Sequence, residues 1–185
     1  MIEINTDSDG KKYSNESILK GILHHTKIND YSNDPSIPAM IVQLDPGLFK
    51  ENPSGWNIQE ACNWLHNHSR IKSSGWCARF VRLGIEAGGL STAGHPKWAW
   101  HYINYLPKIG FEFLGKFDNS YKGDGGTYSP QPGDIAVYTK GRDTSVPGHI
   151  CMWTGVSWES DFKQKNMIVY AKTSQAYIFR FKNNE

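Results

Sequence analysis

The 185-residue chain has only three cysteines and no long apolar run. Three cysteines cannot close a disulfide framework, so the sequence excludes a disulfide-stabilised miniprotein and leaves at least one thiol free. No segment approaches the roughly 20 consecutive apolar residues that cross a bilayer, so membrane insertion is not expected. Lys plus Arg number 20 against 18 for Asp plus Glu, a net charge of +2. Nucleic-acid-binding proteins usually carry a strong basic excess, so no nucleic-acid partner is expected.

The start of the chain also lacks the marks of a signal peptide. Residues 1–16 contain no apolar segment and no small-residue cleavage site, which predicts synthesis in a reducing cytosol. Residues 1–53 are polar and rich in turn signals, and they suggest an extension wrapped on the domain, with one short helix near Glu16–His25. Residues 54–185 are expected to form the domain itself.

Within this domain the pattern changes from helical to extended. A stripe of Ile58, Ala61, Cys62 and Leu65 predicts a helix over residues 57–69. Further helices are predicted over 76–87 and 98–106, then a glycine-rich loop over 115–133, then strands over 134–139, 149–155, 158–162, 167–171 and 176–181. Helices followed by a run of strands predict an α+β fold with N-terminal helices packed on an antiparallel sheet.

Cys77 is the cysteine best placed for chemistry, because it opens the second predicted helix after Ser73 and Ser74. The positive end of the helix dipole and the nearby Arg79 favour the thiolate, and free N–H groups of the first turn could stabilise an oxyanion. The alternative is a buried structural thiol, a common fate of free cysteine. Cys62 and Cys151 are interpreted in that way, in a helix stripe and a strand interior.

A cysteine nucleophile needs a base and a group that orients the base. His149 follows a Pro-Gly turn at the start of a predicted strand, and Asp161 lies on the strand expected next. Glu159 and Ser160 are alternatives for the orienting role. The other histidines lie in loops, in the extension or near helix ends; His101, in aromatic surroundings, is the reserve candidate for the base.

The sequence offers little for a metal or a nucleotide. It has no Cys-x-x-Cys pair and no His-Glu-x-x-His helix, and His149-x-Cys151 alone is a weak pair of ligands. The glycine-rich segment at residues 122–127 lacks the Gly-Lys-Ser/Thr ending of a P-loop. No metal and no cofactor are therefore expected.

Three segments resemble the NlpC-like and CHAP cysteine amidases. The segment Ser74–Val81, Ser-Gly-Trp-Cys-Ala-Arg-Phe-Val, resembles their nucleophile segment. The segment Gln131–Tyr138 resembles their Pro-Gly-Asp turn into the first core strand, and Gly148–Ile150 with the following Trp158–Phe162 resembles their histidine strand and its neighbour. The three motifs occur in the family's order over about residues 57–181.

The resemblance implies a papain-like fold and hydrolysis of amide bonds in the stem peptides or cross-links of bacterial peptidoglycan. It implies Cys77 as nucleophile, His149 as base and then acid, Asp161 as the residue that orients His149, and Asp134 as a structural residue of the turn. Substrate contacts are expected from Trp76, Ser74 and Trp153. For each tryptophan, simple packing is the alternative.

With its segment Trp158–Phe162 and no visible signal peptide, the sequence is most similar to the amidase effectors of type VI secretion. That similarity implies an antibacterial toxin delivered into the periplasm of a neighbouring bacterium, with a cognate immunity protein. In the family, the bond cut would be γ-D-glutamyl to diaminopimelate. Two other functions stay open: a papain-like protease or deamidase acting on a protein, and a non-catalytic module that binds the cell wall.

Overall fold

The structure is a computed structural model that describes residues 4–6, 12–14, 43–45, 55–124, 126–141, 143 and 145–182. Backbone contacts divide the chain into two compact units, residues 1–40 and 41–185. In the first unit, strands β1 (Ile4–Thr6) and β2 (Lys12–Ser14) form an antiparallel pair. The helix predicted near Glu16–His25 and most of the predicted extension over residues 1–53 lie outside the described residues.

Two regular helices open the described part of the second unit, as the apolar spacing predicts. Helix α1 (Ile58–His68) begins after Asn57, whose side-chain oxygen accepts the Glu60 N–H at 3.0 Å, and α2 (Cys77–Ala87) follows a short loop. Three short helical segments then follow in succession: a 3₁₀ turn Ala99–His101, helix α3 (Tyr102–Tyr105) and a 3₁₀ turn Leu106–Ile109.

The rest of the unit is an antiparallel sheet. Its strands are β3 (Phe111–Phe117), β4 (Lys122–Gly123), β5 (Gly126–Thr127), β6 (Ile135–Tyr138), β7 (His149–Trp153), β8 (Trp158–Glu159), β9 (Lys163–Gln164) and β10 (Ala176–Phe181). Their order across the sheet is β5-β4-β3-β10-β6-β7-β8-β9, and each pair of neighbours is antiparallel. The predicted α+β class with an antiparallel sheet is confirmed.

The two faces of the sheet bury different sets of side chains. Successive residues of a strand point to opposite faces. Ile150 and Met152 of β7 therefore join the core that the helices share, whereas Cys151 joins a second cluster with Tyr138 and Trp158. Helix α2 packs against β7 on the helical side. This packing brings the start of α2 next to the strand that begins with a histidine.

Three expectations about strands are wrong. Residues 167–171 form no strand: Met167 is buried in the second cluster from a loop, and its carbonyl accepts the Tyr138 hydroxyl at 2.9 Å. The sequence does not predict strand β3, and β3, β4 and β5 together occupy part of the predicted loop. Gly115 (φ +140°) interrupts the strand pattern of β3, and a bulge in β10 lies opposite it. The strand predicted over 158–162 ends at Glu159.

In the described part of the chain, no helix has the length and apolar character needed to span a membrane.

Candidate active site

Cys77 is the first residue of α2, and its side chain is partly buried where the helix packs on β7. Burial raises the pKa of its thiol to about 11, although hydrogen bonding by the backbone at Ile150, Ala78 and Cys77 itself acts in the opposite direction. The helix start thus favours the thiolate, as expected, but desolvation outweighs it. At neutral pH the Cys77 thiol is therefore protonated, and it lies beside the backbone of Ile150 in β7.

His149 begins β7 and is buried, with its Nε2 atom 2.6 Å from Oε1 of Gln164. The orientation of the Gln164 amide follows from its other contacts, since its Nε2 donates to the carbonyls of Asn166 and Met167, both at 3.2 Å. An amide oxygen only accepts, so His149 Nε2 carries the hydrogen. In the neutral ring, Nδ1 is then left with a free lone pair, as a general base requires.

The surroundings of His149 keep it neutral. Burial lowers the pKa of His149, and the hydrogen bond with Gln164 and the negative charge of Asp161 oppose this shift without reversing it. The rings of Tyr138, Phe162 and Tyr170 lie 5.3, 5.8 and 5.9 Å from the imidazole, which accounts for the desolvation. A neutral imidazole with one fixed tautomer results.

Asp161 lies in the turn between β8 and β9, and its hydrogen bonds lead to the loop before Cys77. Its Oδ2 atom accepts the N–H groups of Ser74 at 2.5 Å and Trp76 at 3.2 Å, and the hydroxyls of Ser73 and Ser74, both at 3.0 Å. Its Oδ1 accepts the Ser160 hydroxyl at 3.2 Å. Among the described residues, no hydrogen bond joins Asp161 to His149.

The electrostatics of Asp161 agree with this position. Burial alone would raise the pKa of its carboxyl, but the hydrogen bonds from Ser74, Trp76 and Ser73 outweigh burial and hold the pKa below its ordinary value. The carboxylate is therefore charged at neutral pH. It fixes the chain at the position where α2 begins, and its charge also reaches Cys77 and His149.

The same loop is attached to the sheet through its backbone. The Arg70 N–H donates to the Asp161 carbonyl at 3.1 Å, and the Lys163 N–H donates to the Arg70 carbonyl at 2.9 Å. Arg70 and Phe162 form an isolated parallel bridge. The segment from Asp161 to Gln164 thus holds the loop before Cys77 and, through Gln164, the imidazole of His149.

An open cleft of about 440 Å³ reaches the Cys77 side chain. Its lining comes from the start of α2 and from the segment before α3, and consists of Gly75, Trp76, Cys77, Ala78, Arg79, Arg82, His95, Pro96, Lys97, Trp98, Ala99, Tyr102 and Pro147. Trp76 is 58% exposed at the mouth of the cleft. The nucleophile candidate can therefore be reached by a ligand.

The other two residues expected to contact substrate do not line this cleft. The Ser74 hydroxyl is engaged with Asp161, and Trp153 packs against Trp158 with ring centroids 5.6 Å apart. Cys62 and Cys151 are fully buried, in keeping with their interpretation as packing residues.

The alternatives for the orienting role have partners of their own. Glu159 is buried and pairs with Nδ1 of His66 at 2.7 Å, while its Oε2 atom has no hydrogen-bond partner among the described residues. The Ser160 hydroxyl lies 3.2 Å from Gln164 Oε1 as well as from Asp161, so it touches the group that contacts His149.

Asp134 holds the turn that follows the Pro-Gly pair. Its buried carboxylate accepts the Gln131 N–H at 2.7 Å and the Tyr128 hydroxyl at 2.5 Å, and it pairs with Arg180 through Nε at 2.7 Å and Nη2 at 2.8 Å. These contacts connect the start of β6 to β10. They give Asp134 a structural position, and it is not among the described residues that line the cleft.

Gln164 is the site residue that the sequence reasoning missed. It lies three positions beyond Asp161 on a strand of two residues, and a single glutamine in such a segment carries no periodic signal. The sequence predicts a carboxylate as the partner of His149, whereas Gln164 supplies an amide. Within the described ranges, no group of three or more His, Cys, Asp or Glu side chains could hold a metal ion.

No protein-family model matches the sequence, and no curated protein sequence does. The fold is similar to a chain of the type VI native effector-immunity complex Tae3-Tai3 from Ralstonia pickettii, with TM-score 0.50, 25% identity, and coverage of 66% of this chain and 97% of that one. The selenomethionine form of that complex gives TM-score 0.49, 26% identity and coverage of 65% and 99%. The mixed helix and antiparallel-sheet architecture thus resembles that of the type VI effector Tae3.

Proposed function

We propose that the chain is an antibacterial effector of type VI secretion and a cysteine amidase that hydrolyses amide bonds in peptidoglycan peptides. One observation carries the enzymatic part: Cys77 opens helix α2 in a cleft, beside the strand that begins with the buried His149. The likeness to the Tae3 effector supports the effector class. A papain-like arrangement of the NlpC and CHAP type fits a nucleophile at a helix start packed on an antiparallel sheet.

The proposed chemistry is acyl transfer through sulfur. Neutral His149 removes the proton from the Cys77 thiol through Nδ1 while the sulfur attacks the amide carbonyl, and N–H groups at the helix start stabilise the oxyanion. The imidazolium then gives this proton to the nitrogen of the leaving amine, the C–N bond breaks, and a thioester forms. Water, deprotonated by His149, attacks the thioester, which releases the carboxylic acid and restores the thiol.

The order of proton transfers follows from the two pKa shifts. A thiol with a pKa of about 11 is protonated at neutral pH, and the His149 pKa is lowered, so the resting pair is neutral. Proton transfer therefore accompanies attack, rather than preceding it as a stable thiolate-imidazolium pair. Gln164 fixes the tautomer that makes this transfer possible, and Asp161 holds the loop from which Cys77 emerges.

Trp76 is proposed to contact the substrate at the mouth of the cleft, with Ser74 and Trp153 as further candidates from sequence. The proposed site of action is the periplasm of a target bacterium. Because the similar solved structures are effector-immunity complexes, a cognate immunity protein is the proposed partner.

The test is digestion of purified sacculi, followed by separation of the released muropeptides. The wild type is expected to release peptide fragments, and Cys77→Ala and His149→Ala are expected to release none while keeping the wild-type circular dichroism spectrum. His68→Ala removes an exposed histidine outside the cleft lining and is the matched control, expected to retain activity.

Undiminished muropeptide release by Cys77→Ala would contradict the mechanism. Intact sacculi combined with Cys77-dependent cleavage or deamidation of a protein would instead favour the protease or deamidase function. Binding to sacculi without release of product by the wild type would favour a wall-binding module.

A further inference from the structure

The cleft beside Cys77 is charged with one sign. Three of its described lining residues are cations, Arg79, Arg82 and Lys97, and none of the described lining residues is Asp or Glu. The chain as a whole is almost balanced, with a net charge of +2. The positive charge of the cleft is therefore a local feature and not a consequence of overall composition.

Among the described residues, only one of these cations has a counter-ion. Arg82 Nη1 pairs with Glu86 Oε1 at 2.8 Å one helical turn along α2, and the same carboxylate also accepts the Thr92 hydroxyl. This pair holds the Arg82 side chain along the cleft wall. Glu86 partly neutralises the charge of Arg82, so Arg82 shapes the cleft wall more than it adds to the positive charge of the cleft.

Arg79 and Lys97 are exposed, and neither forms an ion pair with a carboxylate of the described residues. Arg79 lies on the first turn of α2, with its guanidinium carbon 5.9 Å from the ring centroid of Trp76. The aromatic face restrains the side chain without neutralising it. Lys97 belongs to the other part of the cleft lining, the segment before α3.

Two cations that no described carboxylate neutralises lie in one cleft and attract an anion, and field lines concentrate between low-dielectric walls. A guanidinium presents paired N–H donors that match the two oxygens of a carboxylate. The positive end of helix α2 lies at the same place and acts with the same sign. A carboxylate near the reacting amide is attracted by the cations, by the guanidinium donors and by the helix end. A neutral or cationic peptide is not.

From these contacts we propose that Arg79 and Lys97 select substrates bearing a free carboxylate close to the scissile amide, with Arg82 as a fixed part of the wall. The inference rests on the proposed amidase function and adds a specificity to it. It defines the substrate as an anionic peptide, and it identifies two residues that bind rather than react.

The probe is a synthetic stem-peptide dimer in two forms, one with its carboxylates free and one with them converted to carboxamides. For the wild type, kcat/KM is expected to be about tenfold or more higher for the free-carboxylate form, as suits a charge-assisted hydrogen bond. In the double variant Arg79→Gln/Lys97→Gln, this ratio is expected to fall towards one. Raised salt should also lower the ratio for the wild type, because exposed charges are screened.

Lys108→Gln removes one exposed positive charge outside the cleft lining and is the matched control, expected to keep the wild-type ratio. Circular dichroism and thermal unfolding verify that the variants fold. Equal cleavage of both peptide forms by the wild type, with Cys77→Ala inactive, would overturn the specificity and leave the amidase function standing.

A double variant that keeps the wild-type ratio would also overturn the assignment. So would a double variant whose only defect is weaker binding of an acidic protein, since the cations would then serve a partner and not the substrate. If the wild type cleaves neither peptide nor sacculi, the proposed amidase function itself fails.

Discussion

The Nε2 atom of His149 donates to the side-chain oxygen of Gln164 across 2.6 Å, and this contact decides which nitrogen of the ring can act as a base. Gln164 is itself held by the carbonyls of Asn166 and Met167. An amide orients the imidazole without adding a charge, which agrees with a His149 pKa that burial keeps below its ordinary value. The site thus combines a neutral base with a neutral thiol.

Replacing Gln164 should impair catalysis without removing either reacting group. Gln164→Ala leaves His149 without a fixed tautomer, and we expect kcat to fall about 100-fold, as for other small displacements of catalytic groups. Gln164→Glu places a negative charge beside Nε2, which raises the His149 pKa, so the acid limb of the pH-rate profile should move to higher pH.

Steady-state kinetics from acid to alkaline pH measure both effects. Gln131→Ala, which removes an exposed glutamine side chain, is the control and should leave kcat and the profile unchanged. Full activity of the Gln164→Ala variant would show that the imidazole is positioned in some other way.

The ionisation of the resting pair predicts the shape of the wild-type profile. His149 must be neutral to accept a proton, so kcat/KM should rise with pH through a pKa below the ordinary histidine value of 6.5. Cys77 supplies the proton until its own pKa near 11, so the rate should then stay level over the neutral and mildly alkaline range. In a preformed thiolate-imidazolium pair, the pKa on the acid side would belong to Cys77 and the pKa on the alkaline side to His149.

Alkylation by iodoacetamide separates these two cases, because only the thiolate reacts. Labelling of Cys77 in the folded protein should be slow at neutral pH and should accelerate as pH rises towards 11. Cys62 and Cys151 are fully buried and should not react while the protein is folded. Fast labelling of Cys77 at pH 6 would contradict a neutral resting pair.

Asp161 is expected to act on Cys77 through the loop. Asp161→Asn puts an N–H₂ group or a weaker acceptor where four donors from Ser73, Ser74 and Trp76 converge. Leaving such donors unsatisfied should lower the free energy of unfolding by about 1–3 kcal/mol and reduce activity. The His149 limb of the pH profile should move much less than in Gln164→Glu.

Denaturant unfolding and the pH profile measure the two effects. Asp143→Asn is the control, since this exposed carboxylate also accepts an N–H and a hydroxyl, both from Ser145, and should leave stability and activity near the wild-type values. If Asp161→Asn kept full stability and loop geometry but lost the His149 limb, Asp161 would be the residue that orients the imidazole.

The contrast between Asp161 and Gln164 shows how far the sequence predicts this site. The start of a helix and the start of a strand are local features, so Cys77 and His149 could be placed from spacing and turn residues alone. The partner of a side chain depends on how a turn bends back over the sheet. The strand carrying Asp161 was expected to continue to Phe162, but it ends at Glu159, and the bend directs the carboxylate to the loop.

The same limit explains why β3 is not predicted from the sequence and why the strands predicted over residues 158–162 and 167–171 are too long or absent. Met167 reads as part of a strand, because burial gives a loop the same apolar residues as a sheet. The pattern of Phe111–Phe117 does not predict a strand because Gly115 interrupts it, although the bulge opposite accommodates that glycine. The sequence alone points to Arg79 because it adjoins Cys77, whereas Lys97 joins α2 in the cleft lining only in the folded chain.

Gly148, which precedes His149, offers a test of how tightly the base is placed. Its φ is +71°, and an added Cβ would lie 2.7 Å from the Tyr138 carbonyl oxygen and 3.2 Å from Cβ of Trp100. Gly89 has φ +96° with nothing within 4 Å of an added Cβ. Gly89→Ala should therefore cost only the strain of a left-handed alanine, about 1–2 kcal/mol.

Gly148→Ala bears the same strain and a clash with backbone in addition, so its free energy of unfolding should fall by a further 1–3 kcal/mol or so. Relief of that clash has to move Gly148 or the facing end of β6, which pairs with His149, so activity should fall more than stability alone explains. Denaturant unfolding and muropeptide release, measured on both variants, give the comparison. Equal losses of stability and activity in the two variants would mean that the chain before His149 can shift without displacing the imidazole.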